Sequence, residues 1–337
     1  MMKKMRFIGC FILLAVVITA CNPEIPRYKA RLKVDAEPVK NLVFDRYEDV
    51  LFSLDTADFG QELKRVQQQY RPFLEGDLDN PDAVRYLKDF AVDPFSVELY
   101  HRVKQHFSDL GEVCAIVEEV YRHFHYYYPD IALPTQIYTC VSGINPDIPS
   151  VLLYDDALVI SLDWYLDGDE VYELIGMPQY RSRRTVTESL AKDLGQILYD
   201  SYVTSGAKRN NLLEEMVDVG RKDYFIEAMY PEIADSVLLG YSSSQMQWME
   251  ANEGNLWADM VGNQCLYSTD LETYRIFLSD GPFTNEYSHD APPRLGECIG
   301  LHIVRSYLNV QDVSLQELLM TNDLPGVFLD SHYKPRK

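Results

Sequence analysis

The strongest constraint on this chain lies in its first residues, which read as an export signal rather than as part of a fold. Lys3, Lys4 and Arg6 form a basic start, and Phe7 to Ile18 are apolar apart from Gly9 and Cys10. That run is shorter than the roughly 20 apolar residues a membrane-spanning helix needs. Ile18-Thr19-Ala20-Cys21 closes it, with an apolar residue three places before the cysteine and a small one directly before it. This is the signature cut by the lipoprotein signal peptidase. Residues 1–20 are therefore expected to be removed, and the Cys21 thiol to carry lipid. Several acyl chains, at about 0.8 kcal/mol per buried methylene, make a durable anchor. The chain that folds is expected to begin at Cys21, outside the cytoplasm and held to a membrane.

Residues 21–40 contain Pro23, Pro26 and Pro38 and no apolar period, so they are expected to be a lipidated tether. The whole chain has 31 basic and 52 acidic residues, a net charge of −21. That balance excludes a nucleic-acid footprint. It would also repel an anionic lipid face, so the domain is expected to stand off its membrane. An apolar content of 47% with 24 tyrosines is that of a folded globule. Residues 41–337 read as a single domain, with 41–130 as a candidate helical subdomain. Cys114, Cys140, Cys265 and Cys298 are far apart, and none has zinc-knuckle spacing. They are either buried free thiols or contain one disulfide, and sequence does not choose a pairing.

Apolar residues at 3–4 spacing predict helices over Phe59–Phe73, Pro94–Phe107 and Gly111–Tyr128. Strand signals follow at Thr135–Val141, Val151–Tyr154 and Ala157–Leu162, with turn residues Gly143, Asn145, Pro146 and Pro149 between the first two. Helices then resume. Thr185-x-x-Glu188 reads as a capping box opening one of them. Leu212–Tyr230 reads as helix broken near Gly220. Ser242-x-x-Gln245 caps a long helix reaching Gly262, Arg294–Leu308 forms another, and Ser314-x-x-Glu317 caps a last one that Pro325-Gly326 stops. The expected class is α+β, predominantly helical with a small central sheet.

The order of these elements has a zincin-like layout lacking the metal ligands. In zinc-peptidase domains the helix after the edge strand carries H-E-x-x-H, whereas here that helix reads TVTESLAKDLGQILYDS. Its Glu188 and Asp193 point to different sides of a straight helix and cannot share a metal. Asp193 is instead expected to be a buried polar anchor paired with Arg183, Arg184 or Lys192. His101 and His106, and His123 and His125, also lack chelating spacing and read as solvated or core histidines. Asp163, Asp167, Asp169 and Glu170 do not match a calcium loop and read as a solvated acidic loop. There is no P-loop, G-x-S-x-G or G-x-G-x-x-G. No catalytic residue, metal or cofactor is expected, and the chain reads as a non-enzyme.

The second half carries an ordered set of phrases. They are Ser161-Leu162-Asp163-x-Tyr165-Leu166; Gly176-Met177-Pro178-Gln179-Tyr180-Arg181 with Arg183 and Arg184; Gly240-Tyr241 with Gln245; Trp248, Asn252, Glu253 and Trp257; Pro292-Pro293-Arg294 with Gly296, Gly300, Arg305 and Tyr307; and Ser331-x-Tyr333-Lys334-Pro335. Together they resemble the gliding-motility lipoprotein GldB family of the Bacteroidetes over roughly residues 135–337. The resemblance implies a lipid-anchored, periplasm-facing envelope protein without established enzymatic activity, working alongside motility and type IX secretion machinery. One departure is Asp218-Val219-Gly220-Arg221-Lys222, where the family pattern has Glu-Gly-Lys.

Trp248, Asn252, Glu253 and Trp257 sit at i, i+4 spacings on one helix and form either a peptide-binding surface or a core face with a hydrogen-bonded corner. Arg181, Arg183 and Arg184 belong to the one basic stretch of an acidic chain. They either contact an acidic partner or neutralise Asp193 and the acidic loop. Gly296 and Gly300 leave a groove for a neighbouring helix. The expected partners are the membrane, through the Cys21 lipid, and envelope proteins. Two other readings are an unusual zincin-like peptidase and a periplasmic peptide- or glycan-binding lipoprotein. Asn22-Pro23-Glu24-Ile25-Pro26 lacks the clustered acids of a surface-export signal, which favours the periplasmic side.

Overall fold

The computed structural model describes residues 25–203 and 206–335. The signal segment and Cys21 lie outside the described residues. The chain opens with α1 (Arg27–Arg31), β1 (Val43–Arg46) and α2 (Tyr47–Leu51). Next come α3 (Phe59–Val66), α4 (Arg71–Leu74), α5 (Pro81–Val92), α6 (Pro94–His106) and α7 (Gly111–Tyr127). Strands β2 (Gln136–Cys140), β3 (Val151–Tyr154) and β4 (Ala157–Ser161) follow, then α8 (Val171–Leu174), α9 (Gln179–Ser182), α10 (Ser189–Tyr202) and α11 (Leu212–Met229). The chain closes with α12 (Asp235–Leu239), α13 (Ser243–Gly262), α14 (Leu271–Leu278), α15 (Leu295–Val310), α16 (Leu315–Met320) and α17 (Leu324–Ser331). The class is α+β, mostly helical around one small sheet.

The sheet has the order β1-β2-β4-β3, with β1, β2 and β4 parallel and β3 antiparallel on one edge. Alternation of side chains across the pleat gives it two different faces. Ile137, Leu158 and Ile160 face the large core shared with α7, α10, α11 and α15. Tyr138, Cys140, Ala157 and Val159 face a smaller core built by Tyr47, Leu51, Phe59, Leu63 and Leu74 of the N-terminal helices. The N-terminal layer thus has its own apolar cluster, but it closes only against the sheet.

Several expectations are corrected. β1 falls within the 41–130 stretch expected to be mostly helical; its four residues make a strand because β2 offers a parallel edge, from Val43 opposite Gln136 to Arg46 opposite Thr139. Thr185 and Glu188 form no capping box. The helix starts at Ser189, and the Thr185 hydroxyl donates instead to the Ser182 carbonyl. α11 runs unbroken through Gly220, because that glycine faces the Gly300 backbone of α15 across a close helix crossing. Pro325 and Gly326 do not stop a helix. They occupy the first turn of α17, where proline is tolerated because its missing N–H would be unpaired anyway.

The expected tether of residues 21–40 is partly folded onto the domain. Leu32 is 2% exposed, and Arg31 donates to the carbonyls of Gln311 and Val313 just beyond α15. An apolar side chain and three carbonyl or carboxylate acceptors are enough to dock a segment that has no periodicity of its own. Cys114, Cys140, Cys265 and Cys298 are all free thiols.

Candidate functional site

A cavity of about 580 Å³ opens at the carboxyl ends of β2 and β4. In sheets with parallel strands this end gathers loops and is where ligands commonly sit. Gly143, Ile144 and Ser150 come from the loop after β2, and Trp164 and Tyr165 from the turn after β4. Met177, Arg181 and Arg184 come from the stretch around α9, and Asp193 from α10.

The loop after β2 is held by Asp163. This carboxylate is fully buried and accepts from the backbone N–H groups of Ser142 and Ile144 and from the Ser142 hydroxyl. Burial pushes its pKa up, and these donors oppose the shift. Asp163 is therefore not part of a solvated loop, whereas Asp167 and Glu170 are exposed. Asp167 accepts from the Thr187 N–H, and Asp169 and Glu170 both pair with Arg102 of α6. Asp163 fastens this turn to the loop after β2, Asp167 to Thr187, and Asp169 and Glu170 together to Arg102.

Asp193 sits at the cavity floor. One of its oxygens accepts from the Tyr165 hydroxyl at 2.7 Å and from the Ser150 hydroxyl at 2.8 Å. Burial raises its pKa and outweighs the two donors. Among the described residues no cation forms an ion pair with it, although the Lys192 charge also opposes the upward shift. Lys192 donates to the Leu238 carbonyl, Arg184 turns to Gly240 and Asp280, and Arg183 is exposed.

This arrangement makes a prediction. The raised pKa means that the folded state keeps a proton which the unfolded chain releases near pH 3.9. The associated stability is complete below about pH 3.9 and is lost as pH rises through the folded value. Asp193→Asn, which accepts the same two hydroxyls without a charge to bury, should lie within about 1 kcal/mol of wild type in acid. It should gain relative to wild type as pH rises. Asp193→Ala strands both hydroxyls and should cost about 1–3 kcal/mol. Urea denaturation across pH checks both; parallel pH profiles for wild type and Asp193→Asn would sink the assignment.

Three cations brace the rim from behind. Lys192, Arg294 and Arg184 donate to the carbonyls of Leu238, Leu239 and Gly240, which end α12. Cations there match the negative end of a helix. Gly240 has φ 66°, and a Cβ on it would stand 2.8 Å from Arg184 Nε. The phrases around 176–184, 240–245 and 292–294 thus converge on one turn. Tyr241 donates to the Arg294 carbonyl, Gln245 to the Pro282 carbonyl, and Asp280 pairs with Arg184 and Arg294. Arg184 is structural. Arg181 is exposed, makes no ion pair among the described residues and lies against the Tyr180 ring. Nearby, the Trp164 indole N–H is buried without a hydrogen-bond partner.

The α13 residues are placed elsewhere and do not form one surface. Glu253 is 2% exposed and accepts from His302 Nδ1 at 2.7 Å and from the Tyr333 hydroxyl at 2.6 Å. Burial works against a charged His302 ring, but Cys298 and Glu253 more than offset it and push its pKa up to about 10. Asn252 donates to the Trp248 carbonyl rather than to Glu253. Trp257 packs on Phe328 and edge-on against Tyr333, and Trp248 packs edge-on against Tyr287. α13 is thus the shelf on which the C-terminal segment is pinned. No sequence pattern ties Tyr333 or His302 to Glu253, because the links span 80 and 49 residues. In the departing phrase, Asp218 pairs with Arg221 and Arg209, and Arg221 donates to the carbonyls of Leu318, Leu319 and Thr321.

Among the described residues no group of three His, Cys, Asp or Glu side chains is placed to hold a metal ion. Fold and site define a mostly helical α+β domain with a cation-rimmed cavity at its strand ends. Residues 29–335 match the family described as gliding motility protein GldB, and the chain belongs to that family. The family bears a lipoprotein name, and no helix among the described residues is long and apolar enough to cross a membrane. No curated protein and no solved structure matches the chain.

Proposed function

We propose that this protein is a lipid-anchored, periplasm-facing envelope component that supports gliding motility and the associated type IX secretion machinery by protein contact rather than catalysis. The family name supplies the motility link. The layout is read as zincin-like without the ligands: an antiparallel edge strand β3, then α10 carrying Asp193 where a catalytic helix would bring its donors. That side chain is held by two hydroxyls and faces no partner base.

The observation that carries the contact reading is the pairing of two unspent groups on one cavity. Arg181 has no carboxylate partner among the described residues, and the Trp164 N–H has no acceptor. A buried donor left unpaired costs free energy, about 1–3 kcal/mol. An acidic, partly apolar segment of a partner protein would satisfy both groups and cover Ile144, Met177 and Ile175. Arg181→Glu should leave the melting temperature unchanged and lower the partners crosslinked from native membranes by about tenfold, the equivalent of one lost charged contact. Undiminished crosslinking would remove the cavity from the contact. A deletion strain with normal surface spreading and normal type IX-dependent secretion would count against the motility reading itself.

A further inference from the structure

The docked N-terminal segment, like the stretch around residues 181–184, is basic in an acidic chain. Ile25 to Lys33 contains Arg27, Lys29, Arg31 and Lys33 and no acid, in a protein of net charge −21. Arg27 and Arg31 are both used internally on Asp312. Lys29 and Lys33 are exposed and make no ion pair among the described residues. They line a shallow hollow of about 390 Å³ with Pro231, Ile233 and two carboxylates, Glu232, which is exposed, and Asp235, which is held by Arg305, and Ile25 beside them is 53% exposed. With Asp235 neutralised by Arg305, the two lysines outnumber the one exposed acid of the hollow, Glu232, and a net positive edge next to an exposed isoleucine is suited to lipid headgroups.

The position of this patch along the chain decides what it meets. Cys21 is four residues before Ile25. Four steps of the chain reach at most about 14 Å even when fully extended. Leu32, Arg31 and the Tyr28 ring against Arg305 hold the segment on the domain. A domain fastened this close to its lipid cannot turn its lysines far from the bilayer.

We infer that Ile25, Lys29 and Lys33 form a membrane-contact surface that engages the anionic phospholipid headgroups of the bilayer holding the Cys21 lipid. This rests on the anchored reading given above. It replaces a loose tether with a short leash that presents one fixed side of an otherwise acidic domain to the membrane. The acidic remainder is repelled by the same headgroups, which reinforces the orientation. Each lysine near an anionic surface contributes about a fivefold gain in partitioning, lost within a Debye length as salt rises.

The test uses the mature chain with Cys21→Ser, so that no acyl chain masks the headgroup contribution. Co-flotation with vesicles containing phosphatidylglycerol should exceed that with phosphatidylcholine alone and fall as salt is added. The Lys29→Glu, Lys33→Glu double variant should lose at least about 25-fold in partitioning to the anionic vesicles, twice the single-lysine effect on a logarithmic scale. The Lys29 charge also acts on Glu227 and Asp235, so Lys33→Glu alone serves as the second variant: it should keep the melting temperature and lose at least about fivefold in partitioning. Equal binding to the two vesicle types, or an unaffected double variant, overturns the inference. Whether the native Cys21 chain partitions into detergent in cells tests the anchor separately, so the two failures are distinguishable.

Discussion

Gly300→Ala is expected to destabilise this protein more than any other small substitution, by over about 3 kcal/mol, or to prevent folding altogether. Gly300 lies on α15 where it crosses α11, the most extensive helix contact in the molecule. An added Cβ would fall inside the van der Waals shell of the Met216 carbonyl, and one on Gly220 would strike the Gly300 backbone. Backbone atoms in the middle of two long helices cannot move aside as a flexible side chain can. The helices would have to separate, exposing Met216, Val217, Ile299 and Val304, all fully buried. Gly296 is a graded control. A Cβ there meets Leu278, Met216 and the Phe277 carbonyl at 3.0 Å, and two of those three neighbours are side-chain atoms that can yield. Gly296→Ala should therefore cost only about 1–3 kcal/mol. Thermal and urea denaturation of the three variants should rank Gly300 and Gly220 well above Gly296. A Gly300→Ala protein with wild-type stability would mean that the crossing is looser than described.

Arg305→Ala should have the second largest effect, about 3–5 kcal/mol, because it leaves a buried charge without its partner. Arg305 is 7% exposed and donates from Nε to Glu227 at 2.9 Å and from its two terminal nitrogens to Asp235 at 2.8 and 2.6 Å. Glu227 is 2% exposed, and burial already holds its pKa above the usual carboxylate range with Arg305 opposing the shift. Without the guanidinium, Glu227 takes up a proton or remains an unpaired buried anion. Asp235 moves in the opposite direction. Burial raises it, but the Arg305 hydrogen bonds and charge outweigh burial and hold it low. A lowered carboxylate contributes stability that is present above its unfolded pKa, near 3.9, and is lost as pH falls through the folded value. The difference between wild type and Arg305→Ala should thus be large at neutral pH and shrink in acid. Adding Glu227→Gln to the variant should restore part of the loss, since the amide has no charge to bury. A penalty that is independent of pH and not rescued by Glu227→Gln would point to lost packing of the arginine stem instead. Arg305 also stacks on Tyr28 at 5.3 Å, so its removal should loosen the docked N-terminal segment first. Hydrogen exchange in residues 27–32 would show that.

The same pair of helices explains which parts of the fold were legible. The apolar stripes of α7, α10 and α15 set their own burial, because a 3.6-residue period needs no knowledge of the partner. The strands β2, β3 and β4 were readable as short β-branched runs bounded by turn residues. β1 was not, since Val43-Phe44-Asp45-Arg46 is half polar and Val43 is 49% exposed. Only the edge of β2 makes it a strand. Gly220 shows the limit in the other direction. Glycine lowers helix propensity by about 1 kcal/mol against alanine, which reads as a break. The contact that keeps it helical belongs to α15, 80 residues later in the chain.

The candidate site divides in the same way. Asp193, Arg181 and Arg184 stood out by residue type on an acidic background. Their partners did not: Ser150 and Tyr165 for Asp193 lie 43 and 28 residues away, and Gly240 for Arg184 lies 56 away. Which arginine braces a helix end and which faces the cavity is therefore a property of the folded chain alone. Asp163 reads as solvated by its grouping with Asp167, Asp169 and Glu170, yet the N–H groups it gathers belong to the loop after β2.

By itself the sequence determined the α+β class, the helical stripes, the two working capping boxes and the family phrases. All of these are local, carried by residues within a few turns of one another. The tertiary structure alone decided how the acids and arginines are partnered, why Gly220 and Gly300 must be glycine, and that Ile25–Lys33 is a docked basic edge rather than a free tether. Each of those depends on atoms brought together across long stretches of chain, and no local pattern encodes the neighbour.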